Sequence, residues 1–494
     1  MAVMELDQRV TELAASPKRL LIGGEWVEAA SGMTFETVNP ATGETLAQIA
    51  QGDAEDIDRA VNAARRAFED GPWRRMTPSD RGRLIWKIGD LILDNLEELA
   101  ELETLDNGKP LAVARVADVP LAADLFHYMA GWATKIHGET FGISVPYAAG
   151  AKFHAYTAKE PVGVVGQIIP WNFPLLMAAW KLGPVLAAGC TVVLKPAEQT
   201  PLSAIRLGEL MQEAGLPDGV VNVVTGYGEA GAALAAHEDV DKIAFTGSTE
   251  VGKLIVQAAA GNLKKVSLEL GGKSPNVVYA DADLDSAING AAMAIFFNHG
   301  QCCCAGSRLL VEKPVFDEVV AGVSEIAKNT KVGPGYDDSC EMGPLVSEEQ
   351  LARVTGYLES GIADGAEAVT GGKQIGDRGY FVEPTVLVNT RPDMKIIREE
   401  IFGPVVAAIP FDGEVTATAN DSEYGLAAGV WTRDISKALR TVEALRAGTV
   451  WVNTYNVFDA ALPFGGYKQS GWGREMGAEV LHNYLETKAV CIGL

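Results

Sequence analysis

No apolar run in this chain of 494 residues approaches the ~18 residues that a membrane span needs; the stretch 291–297 is typical of the longest. Basic residues are in deficit, with 41 Lys plus Arg against 65 Asp plus Glu, a net charge of −24. Such a surface repels phosphate backbones and anionic lipid, and no Lys/Arg cluster offsets it. Neither nucleic acid nor membrane is therefore an expected partner. Cysteine is scarce. There are six, three of them consecutive (Cys302, Cys303 and Cys304), which excludes a disulfide scaffold for a chain this long. That pattern reads as a reduced, cytoplasmic protein. The opening Met1-Ala-Val-Met-Glu-Leu-Asp7 lacks a basic stretch followed by an apolar one, so no secretory signal is expected. Internal repeats and low-complexity tracts are missing as well.

What is present is ordinary globular material: 48% hydrophobic and 21% charged residues. The length suggests two to four domains of ~150 residues each. Short Val/Ile-rich runs alternate with amphipathic stretches, the pattern of an α/β chain. Residues 20–27 and 37–49 read as strands. Residues 53–68, 79–106 and 116–136 read as helices, the first capped by Asp53 or Asp56. From 160 the alternation becomes regular. Strands are expected at 162–169, 191–194, 220–224 and 242–245, with helices at 175–188, 201–213, 228–236 and 248–259. Four βα units in succession imply a parallel sheet with a ligand crevice at its strand C-termini. A strand at 266–270 runs into Gly271-Gly272, a hinge to a second α/β region ending near 470. The last strand, 484–491, has nothing after it to pair with in its own domain, and such strands often join a partner subunit's sheet.

Several motifs carry chemistry. Gly226-Tyr-Gly-Glu-Ala-Gly231 has the glycine spacing of a dinucleotide fingerprint, yet no acidic residue ends the next strand, and the glycines equally suit a tight turn. Lys195-Pro-Ala-Glu198 follows a strand, where a carboxylate can accept ribose hydroxyls or simply face solvent. Phe245-Thr-Gly-Ser248 ends a strand in small residues that open a helix, which suits a pyrophosphate or an ordinary serine cap. Three adjacent thiols point in alternating directions and cannot close a tetrahedral metal site, so no metal is expected. They are either small buried residues or hold a nucleophile in a loop. Glu269, in an apolar strand, is a satisfied structural carboxylate or a base of raised pKa. Glu399-Glu400-Ile-Phe402-Gly-Pro404 alone reads as a surface turn.

Together these motifs resemble the aldehyde dehydrogenase superfamily, specifically its NAD-dependent, hydrolytic branch. The resemblance runs from about Leu20 to the end of the chain. It is carried by Pro170-Trp-Asn-Phe-Pro174, Lys195-Pro-Ala-Glu198, Phe245-Thr-Gly-Ser-Thr, Leu268-Glu-Leu-Gly-Gly272, Gly300-Gln-Cys-Cys-Cys-Ala-Gly, Glu400-Ile-Phe-Gly-Pro404 and Pro463-Phe-Gly-Gly466, in that order. The resemblance implies a parallel-sheet NAD-binding domain (1–138 and 160–270), a second α/β catalytic domain (271–474) and a small β oligomerisation element (139–159 and 475–494). It also implies a homotetramer built as a dimer of dimers.

By the same resemblance Cys303 attacks the aldehyde, and Asn172 with the Cys303 backbone N–H forms the oxyanion hole. Glu269 activates the hydrolytic water, and Lys181 and Glu475 assist its proton exchange. Ile168, Pro170 and Trp171 line the cofactor crevice. Lys195 and Glu198 take the adenine ribose, Gly247 and Ser248 the pyrophosphate, and Glu400 with Phe402 the nicotinamide ribose. The substrate tunnel comprises Phe173, Leu176, Met177, Trp180 and Phe297, then Cys302, Cys304, Val457, Phe458 and Phe464. Relatives that pass the acyl group to coenzyme A typically lack a glutamate at the Glu269 position, so the expected product is a free acid. Glu198 favours NAD over NADP by charge repulsion. The apolar, aromatic tunnel suits an arylalkyl or aliphatic aldehyde, with bacterial phenylacetaldehyde-type dehydrogenases the most similar subgroup. Betaine aldehyde or another amino-aldehyde, caged by cation–π contacts, is the alternative substrate. A non-catalytic, crystallin-like relative is the alternative from another class.

Overall fold

The computed structural model describes residues 7–494, so the opening residues read above for a secretory signal lie outside it, apart from Asp7. Five parallel strands form the centre of the first sheet. In spatial order they are Val221–Val223, Thr191–Lys195, Val164–Ile168, Lys242–Thr246 and Lys265–Glu269. Leu20–Ile22 and Glu25–Val27 extend one edge antiparallel, and Gly471–Trp472 closes the other. The central strands are Val/Ile-rich because helices cover both of their faces. Chain order reverses between Val164–Ile168 and Lys242–Thr246, the switch point where such sheets open a crevice. Register makes the strand ends level: Ile168 pairs with Lys195 and with Phe245, and Thr246 pairs with Glu269.

The helix Pro174–Ala188 leaves the crevice and is buried at every residue. It is apolar all round, which is how a fully enclosed helix reads. Pro174 suits its first turn, and Gly189, at φ +90°, ends it. The 53–68 expectation lies close to Ala54–Glu69, where Asp53 and Asp56 form a reciprocal capping box.

Three expectations need correction. The helix expected at 79–106 is two helices, Pro78–Asp94 and Leu96–Asn107, broken at Asn95. The 116–136 helix opens with a wide turn at Ala114–Asp118 and ends at Trp132. The terminal strand, Leu485–Gly493, does have a partner in its own chain. It pairs antiparallel with Phe153–Pro161 over nine residues, and Thr140–Phe141 completes that three-stranded sheet.

The second sheet holds Thr385–Val388, Val405–Phe411, Arg308–Glu312, Pro275–Val278, Ala427–Trp431 and Thr449–Val452, all parallel, with Glu367–Thr370 antiparallel at one edge. The chain then returns to the first sheet. Gly471–Trp472 pairs with Leu268 and Glu269, ahead of the boundary expected at residue 474. No helix among the described residues is long and apolar enough to cross a membrane.

Leu182 is fully buried in the Pro174–Ala188 helix. Leu182→Ala should cost about 2–5 kcal/mol, from lost transfer energy plus the residual cavity. Chemical denaturation should show a lowered midpoint with an unchanged slope.

Candidate active site

A cavity of about 630 Å³ opens at the switch point and runs between the two sheets. Three chain segments converge on it. Ile168 feeds the loop Pro170-Trp171-Asn172-Phe173, Thr246 feeds Gly247-Ser248, and Glu269 ends its own strand. The second sheet supplies Cys302, Cys303 and Cys304, in the loop before the strand Arg308–Glu312.

The approach between the halves is close. A Cβ on Gly272 would sit 2.2 Å from the Cys303 carbonyl oxygen, and one on Gly271 would sit 2.3 Å from Glu400 Oε2. The double glycine is thus a contact surface as well as a link. The Gly226 motif has a different place. It lies outside the cavity lining, and a Cβ on Gly226 would meet the Gly52 carbonyl oxygen at 2.6 Å, so its tight-turn reading stands.

The loop that carries the three cysteines is wound tightly. Asn298 and His299 are buried with φ of +49° and +59°. Asn and His enter this region more readily than most residues, yet two in succession cost of order 1–3 kcal/mol each. Hydrogen bonds hold them there. Asn298 Nδ2 donates to the carbonyls of Asn172 (3.0 Å) and Gln301 (3.1 Å). Gln301 Oε1 accepts from the Val346 N–H at 3.0 Å. Asn172 is buried, and its Nδ2 donates one N–H to the Gln301 carbonyl at 3.0 Å. An amide nitrogen carries two hydrogens, so a second remains.

The three thiols divide as alternating directions require. Cys302 and Cys304 are buried with their sulfurs 3.3 Å apart, and Cys303 is the more open of the three. Contact with the Cys302 thiol, and then burial, holds the Cys303 thiol above its ordinary pKa.

Glu269 is buried, and neither carboxyl oxygen has a hydrogen-bond partner among the described residues. Its pKa is raised well above the usual carboxylate range, first by burial and then by Glu475, with Lys181 acting in the opposite sense. Lys181 and Glu475 lie just outside the cavity as a buried pair, Nζ to Oε1 at 2.7 Å. Removing one member of such a pair typically costs about 3–5 kcal/mol, because the other charge is left stranded. Lys242, which the sequence reading missed, is a further buried cation nearby. Its Nζ donates to Ser267 Oγ at 2.9 Å, and burial lowers its pKa to about 7 against the pull of Glu475.

Glu400 lines the cavity, contrary to the surface-turn reading of its motif. Burial raises its pKa to about 8, while the Gly272 N–H, 2.8 Å from Oε1, works against that rise. Trp171 and Phe402 meet edge-to-face at 5.2 Å. Ser248 caps the helix Thr249–Ala259 by accepting from the Val251 N–H, and that helix end faces the cavity. Lys195 and Glu198 form an ion pair at 3.2 Å beyond the lining, level with Ile168 at the crevice floor.

Apolar side chains wall the rest. Leu176 and Met177 join two aromatic groups: Phe173 stacked on Phe297 at 6.1 Å, and Trp180 with Phe458 and Phe464 at 5.4–6.1 Å. Val457 is half exposed and outside the lining; its carbonyl instead accepts from Trp451 Nε1. The lining also includes Ala117, Leu121, Met293 and Asn456, which sequence reasoning missed because no motif surrounds them.

The aldehyde dehydrogenase family model matches residues 26–490. The chain belongs to the aldehyde dehydrogenase family. It is 53% identical to the mitochondrial aldehyde dehydrogenase of Homo sapiens over 479 residues, covering 96% of this chain and 92% of that protein. The NAD+ complex of an aldehyde dehydrogenase from Bacillus cereus superposes with a TM-score of 0.97 at 52% identity, over 99% of each chain. A betaine aldehyde dehydrogenase from Staphylococcus aureus, also solved with NAD+, gives 0.95 at 42% identity, over 99% of this chain and 96% of that one. The protein is therefore an NAD-dependent enzyme of this family. The crevice has groups that fit NAD: a helix N-terminus whose N–H groups can donate to a pyrophosphate, and at Glu400 a carboxylate that can accept from ribose hydroxyls.

Glu475→Gln removes an anion that raises the Glu269 pKa. A base works only when ionised, so the limb on which kcat rises with pH should move to lower pH in this variant. An unmoved limb, or one displaced upward, would show that Glu475 does not act on Glu269.

Proposed function

We propose that this enzyme oxidises hydrophobic arylalkyl or aliphatic aldehydes to free carboxylic acids through a covalent intermediate on Cys303. The observation that carries the reading is the meeting of Cys303, Asn172 and Glu269 in one cavity whose remaining walls are apolar. The Cys303 thiol gives up its proton to water, and the thiolate sulfur adds to the aldehyde carbon. The oxyanion formed takes the second N–H of Asn172 and the Cys303 backbone N–H, donors worth a few kcal/mol each. NAD supplies the hydride acceptor that turns this adduct into a thioester. Glu269, with both oxygens unspent, removes a proton from water as that water attacks the thioester carbon. Departure of the Cys303 thiolate releases the acid, and the Lys181–Glu475 pair behind Glu269 exchanges its proton.

For the cofactor, we assign Gly247 and Ser248 to the pyrophosphate and Lys195 and Glu198 to the adenine ribose. Glu400 and Phe402 are assigned to the nicotinamide ribose, with Ile168, Pro170 and Trp171 along the crevice. Glu198 disfavours a 2′-phosphate. The substrate lies among Phe173, Leu176, Met177, Trp180, Phe297, Cys302, Cys304, Phe458 and Phe464. Betaine aldehyde is the second reading, because three rings gather at Trp180 and a solved relative acts on that substrate. Against it, Asp118, a carboxylate in the cavity lining, is already paired with Lys109 at 2.5 Å.

We assign the protein to the cytoplasm as a homotetramer. Six free cysteines fit a reducing compartment. The three-stranded sheet leaves Phe141 and Ile492 exposed, and Leu254 is exposed on the helix Thr249–Ala259. These surfaces suit subunit contacts.

NADH formation should be compared across acetaldehyde, hexanal, phenylacetaldehyde and betaine aldehyde. A higher kcat/KM for hexanal or phenylacetaldehyde supports the apolar tunnel, and preference for betaine aldehyde overturns it. Cys303→Ala should abolish NADH production; full activity would remove Cys303 as nucleophile. Light scattering at micromolar concentration should give four subunits, and a monomer would overturn the assembly.

A further inference from the structure

Behind the Trp171–Leu175 segment lies a second cluster of buried charge that the reaction does not itself use. It comes from the end of the helix Leu96–Asn107 and the turn after it. Lys109 is fully buried. Its Nζ is 2.5 Å from Asp118 Oδ2 and 4.0 Å from Glu103 Oε1. Burial opposes the Lys109 charge, but Asp118 and Glu103 outweigh it and hold the pKa above its ordinary value.

The cluster is aimed at one stretch of backbone. Lys109 Nζ reaches the Asn172 carbonyl at 3.5 Å and lies 4.7 Å from the Phe173 ring centre. Asn107 Nδ2 donates to the Trp171 carbonyl at 2.8 Å and to the Asn172 carbonyl at 3.4 Å. Glu103 Oε1 accepts from the Leu175 N–H at 2.9 Å. Trp171 and Asn172, ahead of the helix Pro174–Ala188, and Leu175 in its first turn are thus pinned from one side, and Asn298 pins the Asn172 carbonyl from the other. Taking three ionisable groups out of water is a poor way to gain stability when apolar side chains of similar size would fill the space. Fixing a direction is what such a cluster does better, because hydrogen bonds are directional and apolar contacts are not.

We propose that Lys109 is a positioning residue for the oxyanion hole: locked by Asp118, its ammonium holds the Asn172 carbonyl and so aims the Asn172 side-chain amide at the reacting oxygen. The inference rests on the reading of Asn172 as oxyanion donor. It is tested with the full-length enzyme carrying Lys109→Gln and Asp118→Asn together, which removes one charge of each sign and leaves Glu103 as the one ionisable group of the three. The readout is the first-turnover rate of NADH formation at saturating aldehyde and NAD. The paired change should lower that rate about tenfold, less than the ~100-fold typical of losing an oxyanion donor outright. KM for NAD should stay within about twofold, since the adenine and ribose subsites are untouched. In an Asn172→Ala background the same paired change should alter the rate by less than about twofold, because no amide is left to aim.

An unchanged rate for the paired variant overturns the proposal. So does an equal fold-loss in both backgrounds, which is what general loosening of the structure would give. If the paired variant does not fold, Lys109→Arg keeps the charge but misplaces it, and the same dependence on Asn172 is required of it. Asn172→Ala reacting at the wild-type rate would overturn the oxyanion reading itself, whatever Lys109 does.

Discussion

Parallel pairing makes side chains at neighbouring strand ends emerge together, and the catalytic arrangement depends on that. Ile168, Phe245 and Lys195 are held level by the ladder, and Thr246 pairs with Glu269. Each strand end then turns into a loop, and the reversal of strand order lets two of those loops spread apart. The Pro170–Phe173 loop, the Gly247-Ser248 helix start and Glu269 all descend from this one register. A slip of one residue would send Glu269 to the opposite face of the sheet.

The second requirement is a dry interior that nonetheless carries charge. Glu269, Lys181, Glu475, Lys242 and Lys109 are all buried. Each would be costly alone. The structure manages the cost by pairing: Lys181 with Glu475 and Lys109 with Asp118. Glu269 has no such pair, and neither of its carboxyl oxygens has a hydrogen-bond partner among the described residues. Pairing offsets the cost of burial in the first two cases, and in the third the cost appears as a raised pKa.

The parallel sheet and the ends of its strands were readable in the sequence because they depend on local patterns. Val/Ile runs bounded by Gly, Pro and Ser mark buried parallel strands directly. The break at Asn95 was not readable, since Ile85, Ile88, Ile92, Leu96 and Leu99 keep helical spacing across it. The partner of the terminal strand left no local trace, because the nine-residue ladder joins segments distant in the chain; only the family resemblance grouped 139–159 with 475–494. Cys303, Asn172 and Glu269 stood out through motifs. Lys109, Lys242 and Asp118 did not, since a buried charge announces itself only when its neighbours are known. The left-handed pair Asn298-His299 had a faint signal, Asn and His before Gly, that composition alone could not separate from a loop.

The return of the chain to the first sheet has a consequence for how the enzyme comes to be made. Lys181 and Glu475 are 294 positions apart, and the Lys159–Thr487 contact in the three-stranded sheet spans 328. A ribosome adding roughly 5–20 residues per second delivers Glu269 on the order of tens of seconds before Glu475. During that interval the first sheet lacks its Gly471–Trp472 edge, and Lys181 sits in an apolar helix without its counter-ion. At that stage neither the Lys181–Glu475 pair nor the ladder between 153–161 and 485–493 can yet exist.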